Sequence, residues 1–499
     1  MAGSYSNNNN SLLTLRVLFD AIKEHRGPFL DTPQGTADYE EVKSYAARVD
    51  SFLRERNITR GDTVAVSMSN TQLAAKIWFS LLREGVSIVP LNPALLDEEI
   101  VYILRMAEVK LLISDKNLSS KAKTWCSETS KIPIVIAEDE SWNNYSEAEE
   151  LYVDPADIAV IFFTSGTTGR PKGAMLTHKA LIANATSCAK SYRLNSKSAF
   201  ACPIPIFHSL AATVCLFLPS IIGGRTYLHS PLELKNFVEI VKLLPGKRIL
   251  VGVPSILEGL VQVSGGKISN IDFTVSGGAA LGQNLRERFF NTSQAPLFEG
   301  YGTTECGPVI SSQLPEAINT TGSVGTPVDE VEVEIRSSDG NKLRAEEVGE
   351  IVVRTPALMA GYYDLASATR ASIKGGWFYT NDLGYLSKNG ELFIVDRLAD
   401  AITVKGITVL PQNIESILNE HPSVMESAVV GIPDGVGGEV PWAFVRPNPK
   451  ENAVPSELIS FCKKRLPVYA VPKGIELRDF LPKTITGKVL KRTLRQKWL

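Results

Sequence analysis

The sequence predicts an α/β protein with a large N-terminal domain and a small α+β C-terminal domain. The large domain is expected to combine parallel-sheet α/β subdomains with a β-rich subdomain. Three observations lead to this prediction. The chain has 499 residues, which is too long for a single hydrophobic core. Apolar runs alternate with helical patterns in the first part of the chain, and the pattern changes near Ser323 and again near Asp396.

The α/β part is predicted from apolar, β-branched runs that are separated by runs with helical periodicity. Its successive elements are "TVAVSMS", "QLAAKIWFSLLREG", "SIVPLN", "DEEIVYILRMAEV" and "KLLISD". Strand-like runs continue through "IAVIFFT", "RILVGVP" and "NIDFTVSGG". Such alternation is typical of parallel strands that are joined by helices.

The β-rich part and the C-terminal domain follow in the second half of the chain. "GSVGTPVDEVEVEIRSSDGNKL" and "GEIVVRTPAL" alternate with period two and include the turn pair Asp339-Gly340. Beyond them, "SVMESAVVGIP", "PWAFVRP", "SELISFCKKRLP" and a basic tail predict a compact α+β domain of about 100 residues. We therefore predict domains at 1–396 and 397–499, with the boundary near Asp396–Ala399.

Composition excludes several function classes. Hydrophobic content of 44% and charged content of 21% are ordinary for a soluble protein. A net charge of −2 gives no overall attraction to nucleic acid or to anionic membranes. The most apolar run, "LAATVCLFLPSIIGG", contains a proline and is too short to span a membrane, so it predicts a buried element. The six cysteines are scattered and lack metal-binding spacing, which is typical of reduced thiols in a cytoplasmic protein. We expect the protein to be a monomer or a homodimer.

The tract "TSGTTGRPKG" predicts a phosphate-binding loop. Its glycines allow close approach of the backbone, its hydroxyls add uncharged donors, and its lysine adds a point charge. We expect a strand before it and a helix after it. It matches neither the Walker A loop nor GxGxxG, and a plain polar linker is the alternative. The candidate ligands of the phosphates are Thr164, Ser165, Gly166, Thr167, Thr168 and Lys172.

With this loop and five further motifs in order, the chain resembles the adenylate-forming superfamily of acyl-CoA synthetases, beetle luciferases and nonribosomal-peptide adenylation domains. The other motifs are "PIPIFHSLAATVC", "VSGGAAL", "FEGYGTTECG" and "FYTNDLGYLSKNGELFIVDRLAD", with "LPKTITGKVLKRTLR" in the tail. The resemblance covers nearly the whole chain. It implies a large AMP-binding domain, a small mobile C-terminal domain that rotates at a hinge near Ala399, and ATP and Mg²⁺ as cofactors.

The resemblance also implies the nucleotide site. Tyr301 would stack on adenine, and Glu305 would hold the Mg²⁺ that bridges the ATP phosphates, with Thr304 nearby. Asp382 would accept both ribose hydroxyls, as a carboxylate can. Lys488 would stabilise charge on the carboxylate and the α-phosphate during adenylation. The remaining candidate nucleotide ligands are Gly277, Gly278, Ala279, Gly302, Thr303 and Arg397.

The substrate expected is a small-molecule carboxylic acid with an apolar body that is not an amino acid. Amino-acid adenylation domains typically carry an aspartate in the segment around His208, and "FHSLAAT" has none. In the superfamily this position gates the acyl pocket, although a packed core histidine is the alternative, and metal binding lacks a second ligand at suitable spacing. The candidate pocket residues are His208, Ala211, Ala212, Ala279, Gly300 and Val309.

The sequence leaves two classes of acceptor for the acyl group, CoA and an amine or amino acid. Phenylpropanoid CoA ligases and luciferases carry lysine where this chain has Thr403 and glutamine where it has Thr408, whereas the glycine of the thiol channel is kept as Gly406, after Lys405. CoA is slightly favoured, and an amine or amino acid, as in coronafacic acid ligases, is the alternative.

A nucleotide-binding regulator without catalysis is a rival from another class. It would not need to keep the whole set of residues implied in chemistry and nucleotide binding, which are Lys172, Glu305, Asp382, Arg397 and Lys488.

Overall fold

The structure is a computed structural model. It describes residues 17–33, 35–129, 132–164, 170–230, 233–241, 244–317, 319–404, 407–434, 438–449, 451–483, 487 and 489–495. The strands in chain order are β1 (Pro28–Thr32), β2 (Gly35–Asp38), β3 (Thr63–Ser67), β4 (Ser87–Pro90), β5 (Leu111–Ser114), β6 (Ile134–Ile136), β7 (Ile158–Thr164), β8 (Lys172–Thr177), β9 (Ser198–Cys202), β10 (Arg225–Leu228), β11 (Lys247–Gly252), β12 (Phe273–Ser276), β13 (Leu297–Tyr301), β14 (Ser311–Ser312), β15 (Thr326–Pro327), β16 (Glu332–Arg336), β17 (Gly349–Arg354), β18 (Gly361–Tyr362), β19 (Ile373–Lys374), β20 (Trp377–Leu386), β21 (Leu392–Arg397), β22 (Ile402–Val404), β23 (Ile407–Val409), β24 (Val424–Pro433), β25 (Glu439–Pro447) and β26 (Gly474–Leu477). The helices are α1 (Leu18–Lys23), α2 (Tyr39–Glu55), α3 (Gln72–Glu84), α4 (Asp97–Met106), α5 (Ser119–Ser127), α6 (His178–Ser191), α7 (Ser209–Ala211), α8 (Leu218–Ile222), α9 (Leu234–Val241), α10 (Pro254–Val263), α11 (Gln283–Ser293), α12 (Ala366–Ser372), α13 (Pro411–Asn419), α14 (Pro455–Lys463) and α15 (Lys491–Arg495).

The chain divides into two compact units. The first comprises Met1–Thr320, Val324–Glu332 and Val353–Phe378, and the second comprises Thr321–Ser323, Val333–Val352 and Tyr379–Leu499. The α/β class with a β-rich region and a small C-terminal part is confirmed. The hinge near Ala399 stays a prediction.

Two mixed sheets form the first unit. One has the strand order β15-β14-β13-β12-β11-β9-β10-β1-β2. Its six neighbouring strands β13, β12, β11, β9, β10 and β1 run parallel to one another. The other has the order β18-β8-β7-β4-β3-β5-β6. Their central strands β3, β4, β5 and β9 are buried throughout, as parallel strands covered on both faces require, whereas the outer strands β2 and β6 are not.

Helix α3 illustrates how local sequence defines an element here. Thr71 caps its start by accepting a hydrogen bond from the backbone N–H of Ala74 at 3.1 Å. Gly85 ends it in the left-handed region at φ +72°, where a side chain would also collide with Arg60. Its apolar face, including Trp78, is buried against the sheets, which supplies most of the stability of an amphipathic helix.

The predicted helix directly after the phosphate loop is wrong. Lys172 begins strand β8, which pairs antiparallel with β7, and helix α6 starts only at His178. Ala174 and Leu176 alternate inward as partners of Phe162 and Val160, so tertiary burial overrides the helical propensity of "AMLTHKAL". The loop therefore joins two antiparallel strands, not a strand and a helix.

The second unit is built from smaller sheets. Strands β16, β17 and β20 are neighbours in one sheet, and β21 pairs antiparallel with β20. β22 and β23 form a hairpin, and β24, β25 and β26 form a further sheet that packs with α13 and α14 around buried Ile414, Val429 and Leu458.

No helix among the described ranges is both long enough and apolar enough to cross a lipid bilayer. All six cysteines are buried free thiols.

Candidate active site

The centre of the candidate site in the first unit is the carboxylate of Glu305. It lies in a 3-10 turn, Thr304–Cys306, directly after β13. The hydroxyl of Tyr362 donates a hydrogen bond of 2.8 Å to Glu305 Oε1. Burial, and then the charge of Glu305, raise the pKa of Tyr362 well above its usual value, so the phenol remains a donor.

Lys172 reaches the same place through the strand pairing. Tyr362 of β18 pairs with Ala174 of β8, two residues beyond Lys172. The Lys172 ammonium consequently lies 5.4 Å from the centre of the Tyr362 ring, within cation–π range. The fold thus joins the predicted phosphate lysine and the predicted metal carboxylate through a tyrosine.

Thr304 and the backbone of Glu305 form hydrogen bonds with two different parts of the chain. Thr304 Oγ1 lies 2.9 Å from Ser209 Oγ, the residue after His208. The carbonyl of Glu305 accepts a hydrogen bond from the backbone N–H of Met359 at 2.9 Å. The turn is therefore fixed from two sides, by the His208 segment and by the chain that leads to Tyr362.

Close packing explains the glycines at the end of β13. A Cβ on Gly302 would overlap the carbonyl oxygen of Pro308, and a Cβ on Gly300 would lie 3.2 Å from Ser312 Oγ. Tyr301 lies between them and is half-buried. Only glycine at position 302 lets the chain fold back from Tyr301 to Pro308.

A buried charge pair supports the strand beneath. Glu299 accepts hydrogen bonds from the guanidinium of Arg286 and from the backbone N–H of Leu281, the latter at 3.4 Å. Burial raises the pKa of Glu299, although Arg286 opposes the shift. The pair links β13 to α11, and the contact with Leu281 links β13 to the loop that carries the candidate nucleotide ligands Gly277, Gly278 and Ala279.

That loop, Gly277 to Ala279, lies against the His208 segment. A Cβ on Gly277 would lie 3.4 Å from Leu210 Cδ2. Gly278 has φ +79°, a left-handed conformation that favours glycine. The loop, the His208 segment and the Glu305 turn are thereby brought together in one unit.

His208 precedes the short helix α7, and its ring is uncharged at neutral pH. The residue as a whole is half-buried, but its Nε2 atom is buried and has no hydrogen-bond partner among the described residues. Burial lowers the pKa of His208 from 6.5 to about 4. An uncharged imidazole with an unpaired nitrogen suits a wall that faces a ligand. Ala211 and Ala212 are fully buried behind it.

We expect an NMR titration of the His208 ring to show a midpoint near pH 4, with His208→Gln assigning the signal. Because the neutral form is favoured on folding, the stability that it contributes is present above pH 6.5 and is lost as the pH falls toward about 4. A midpoint near 6.5 would contradict the burial of this ring.

Two buried asparagines that sequence reasoning missed hold segments of the site. Asn70 donates to the carbonyls of Ile204 (2.7 Å) and His229 (3.1 Å) and accepts from the N–H of Ile206 at 2.8 Å, just before His208. Asn184 in α6 makes the same kind of contacts with residues 306–309. A polar residue inside the apolar run "ALIANATSC" was the available signal.

The second unit brings Asp382 and Arg397 together. They are direct partners across β20 and β21, and Arg397 Nε lies 3.2 Å from Asp382 Oδ1. Asp382 is buried whereas Arg397 is partly exposed, so this pair could present the carboxylate to a diol. Thr380 Oγ1 accepts from the N–H of Asp382 at 3.1 Å.

The predicted acceptor face is partly described. Thr403 is exposed and lies opposite Thr408 in the β22–β23 hairpin. The N–H of Thr403 donates to Glu439 Oε2 at 3.2 Å. The predicted residues outside the described part of the chain are Ser165, Gly166, Thr167, Thr168, Lys405, Gly406 and Lys488.

The donor set at Glu305 fits a magnesium ion that arrives with phosphate. Mg²⁺ prefers one or two protein carboxylates and takes its other ligands from phosphate and water. Within the described residues, no group of three or more histidine, cysteine, aspartate or glutamate side chains could hold a metal by itself. Tyr362 occupies only Oε1 of Glu305, and Lys172 supplies the positive charge beside it.

Comparisons with known proteins match both the large N-terminal part and the small C-terminal part of the chain to one family. The profile described as "AMP-binding enzyme" matches residues 23–363, and that described as "AMP-binding enzyme C-terminal domain" matches residues 413–488. The chain is 31% identical over 502 residues to the long-chain-fatty-acid–CoA ligase of Bacillus subtilis (strain 168), covering 91% of this chain and 89% of the relative. It is 30% identical over 490 residues to 4-coumarate–CoA ligase 2 of Nicotiana tabacum, covering 92% and 89%. The solved o-succinylbenzoate coenzyme A synthetase of Bacillus subtilis, in complex with ATP and magnesium ion, superposes with a TM-score of 0.85 at 26% identity over 96% of this chain and 99% of that chain.

Proposed function

Since the chain belongs to the AMP-binding enzyme family, we propose that it is an ATP-dependent, AMP-forming ligase that joins a carboxylic acid to CoA. The observation that carries the proposal is the cluster of Lys172, Tyr362 and Glu305, which unites the phosphate lysine with a single carboxylate suited to Mg²⁺. The curated relatives reported above are CoA ligases for a fatty acid and for an aromatic acid, which supports CoA as the acceptor.

The first half-reaction joins the acid to the nucleotide. The acid carboxylate attacks the α-phosphorus of ATP, and the bond to pyrophosphate breaks, which leaves an acyl-adenylate. Lys172 holds the departing phosphates by charge, and Asp382 binds the ribose. Magnesium, held by Glu305, would neutralise phosphate charge.

The second half-reaction transfers the acyl group. The thiol sulfur of CoA attacks the acyl carbon, its proton is lost, and AMP leaves. We assign the small rotating domain to residues 397–499, with Ala399 as the hinge between the two half-reactions. Closures of this kind complete a site and exclude water.

The acid is expected to have an apolar body. The wall around His208 carries no side-chain charge at neutral pH, because burial lowers the pKa of this imidazole to about 4. Buried Ala211 and Ala212 add no polar group. An α-ammonium group would find no carboxylate in this segment, which argues against an amino acid as the group adenylated.

Amide formation is the second candidate. Thr403 is exposed and uncharged where related thioester-forming enzymes carry lysine. That departure favours an amine or amino acid as the acceptor, in which case the same acyl-adenylate would give an amide.

One experiment separates these candidates. The purified protein is incubated with ATP, Mg²⁺ and a panel of fatty and aromatic acids, with CoA in one tube and mixed amino acids in another, and products are identified by mass spectrometry. We expect thioester and AMP in the CoA tube only. An amide without a thioester would overturn the CoA assignment.

Acid-dependent pyrophosphate exchange tests the enzyme itself. Exchange with at least one acid of the panel is expected. Its absence with every acid would support the rival reading as a nucleotide-binding regulator.

A further inference from the structure

Asn184 is a fully buried polar side chain whose hydrogen bonds, among the residues that the structure describes, all go to one distant segment. Its Nδ2 donates to the carbonyl of Val309 at 2.8 Å and to that of Cys306 at 3.4 Å. Its Oδ1 accepts from the N–H of Val309 at 3.1 Å. A buried amide without partners is costly, so this pairing is strongly favoured.

The same segment is held by a second side chain and by packing. Thr213 Oγ1 donates to the carbonyl of Gly307 at 3.2 Å. Gly307 has φ +94°, and a Cβ there would lie 3.0 Å from Asn184 Cβ and 2.8 Å from Ala357 Cβ. Residues 306–309 therefore have little freedom to move away from α6.

Glu305, directly before this segment, is fixed by other groups. Its carboxylate accepts from Tyr362 and its carbonyl accepts from the N–H of Met359. The segment thus has two independent sets of restraints. One acts on the metal carboxylate, and the other, from Asn184 and Thr213, acts on the stretch that ends at Val309.

We propose that Asn184 is a positioning residue that fixes Val309 as a wall of the acid pocket and so determines acid affinity without affecting metal affinity. The inference rests on the proposed function, because it assigns the acid to the pocket beside Val309. Thr213 supports the same wall through Gly307.

The test compares two variants in two titrations of acyl-adenylate formation, one of acid and one of Mg²⁺. For Asn184→Ala, we expect the KM for the acid to rise about five- to tenfold, while the Mg²⁺ concentration for half-activation stays unchanged. Tyr362→Phe should do the reverse, because it removes the hydroxyl that Glu305 accepts.

Controls separate positioning from general loss of structure. Ser187→Ala removes a buried hydroxyl from the same helix, where it donates to the carbonyl of Ala183 one turn earlier, and should leave both titrations unchanged. Thr213→Val keeps the side-chain shape and should raise the acid KM by a smaller factor, which covers the case in which Asn184→Ala fails to fold. All rates are referred to the active fraction from a single-turnover burst.

Two results would overturn the inference. One is an acid KM within twofold of the parent protein for folded Asn184→Ala, or for Thr213→Val if the first variant does not fold. The other is a shift of the Mg²⁺ titration together with the acid titration in Asn184→Ala, which indicates nonspecific loosening. If the unmodified protein forms no acyl-adenylate with any acid, the proposed function fails and the inference fails with it.

Discussion

Replacement of Lys488 by alanine is expected to lower the rate of acyl-adenylate formation by about 10²- to 10³-fold, the usual effect of removing one preorganised donor from a developing charge. In adenylate-forming enzymes the lysine of this tail motif stabilises charge on the carboxylate and the α-phosphate, and "TGKVLKR" keeps it here. The measurement is acid-dependent pyrophosphate exchange under saturating ATP.

The second half-reaction provides the internal comparison for this variant. Conversion of chemically synthesised acyl-adenylate and CoA to thioester should persist in Lys488→Ala, since the role proposed for the lysine precedes that step. Lys473→Ala, which removes an exposed lysine of the same unit, serves as the charge-matched control. Unchanged exchange in Lys488→Ala would refute the role assigned to Lys488.

Replacement of Glu305 by glutamine is expected to raise the Mg²⁺ concentration required for half-activation by about tenfold or more. Glutamine keeps the shape and can still accept from Tyr362, but it removes the negative charge that favours a divalent cation. The measurement is a Mg²⁺ titration of adenylation at fixed ATP.

An exposed glutamate offers the matched control for Glu305. Glu287→Gln on helix α11 makes the same chemical change away from the candidate site and should leave the titration unchanged. A Glu305→Gln curve identical to that of the parent protein would contradict the metal assignment.

The sequence predicted the fold class because hydrophobic periodicity reports burial directly. Its motifs named Asp382 and Arg397 separately as candidate nucleotide ligands, and the structure places the two opposite each other across β20 and β21. The sequence prediction of a helix directly after the phosphate loop was wrong. "AMLTHKAL" has helical propensity, but Ala174 and Leu176 are buried against β7, and this burial favours a strand.

Residues whose roles depend on distant partners could not be predicted from the sequence. Tyr362 is 57 residues from Glu305, and Asn184 is 125 residues from Val309. Neither pattern nor spacing encodes such contacts. Antiparallel pairing of β18 with β8 places Tyr362 beside Glu305, and packing of α6 against residues 306–309 places Asn184 beside Val309.

The sequence by itself determined the chemistry proposed for this protein, because glycines, hydroxyls, a lysine and carboxylates in a fixed order are local features that can be recognised without a fold. Only the tertiary structure decided which groups hold that chemistry in place. Tyr362, Asn184 and Asn70 are buried polar groups, and burial obliges each to find partners wherever the packed chain offers them. Those partners are a property of the three-dimensional arrangement alone.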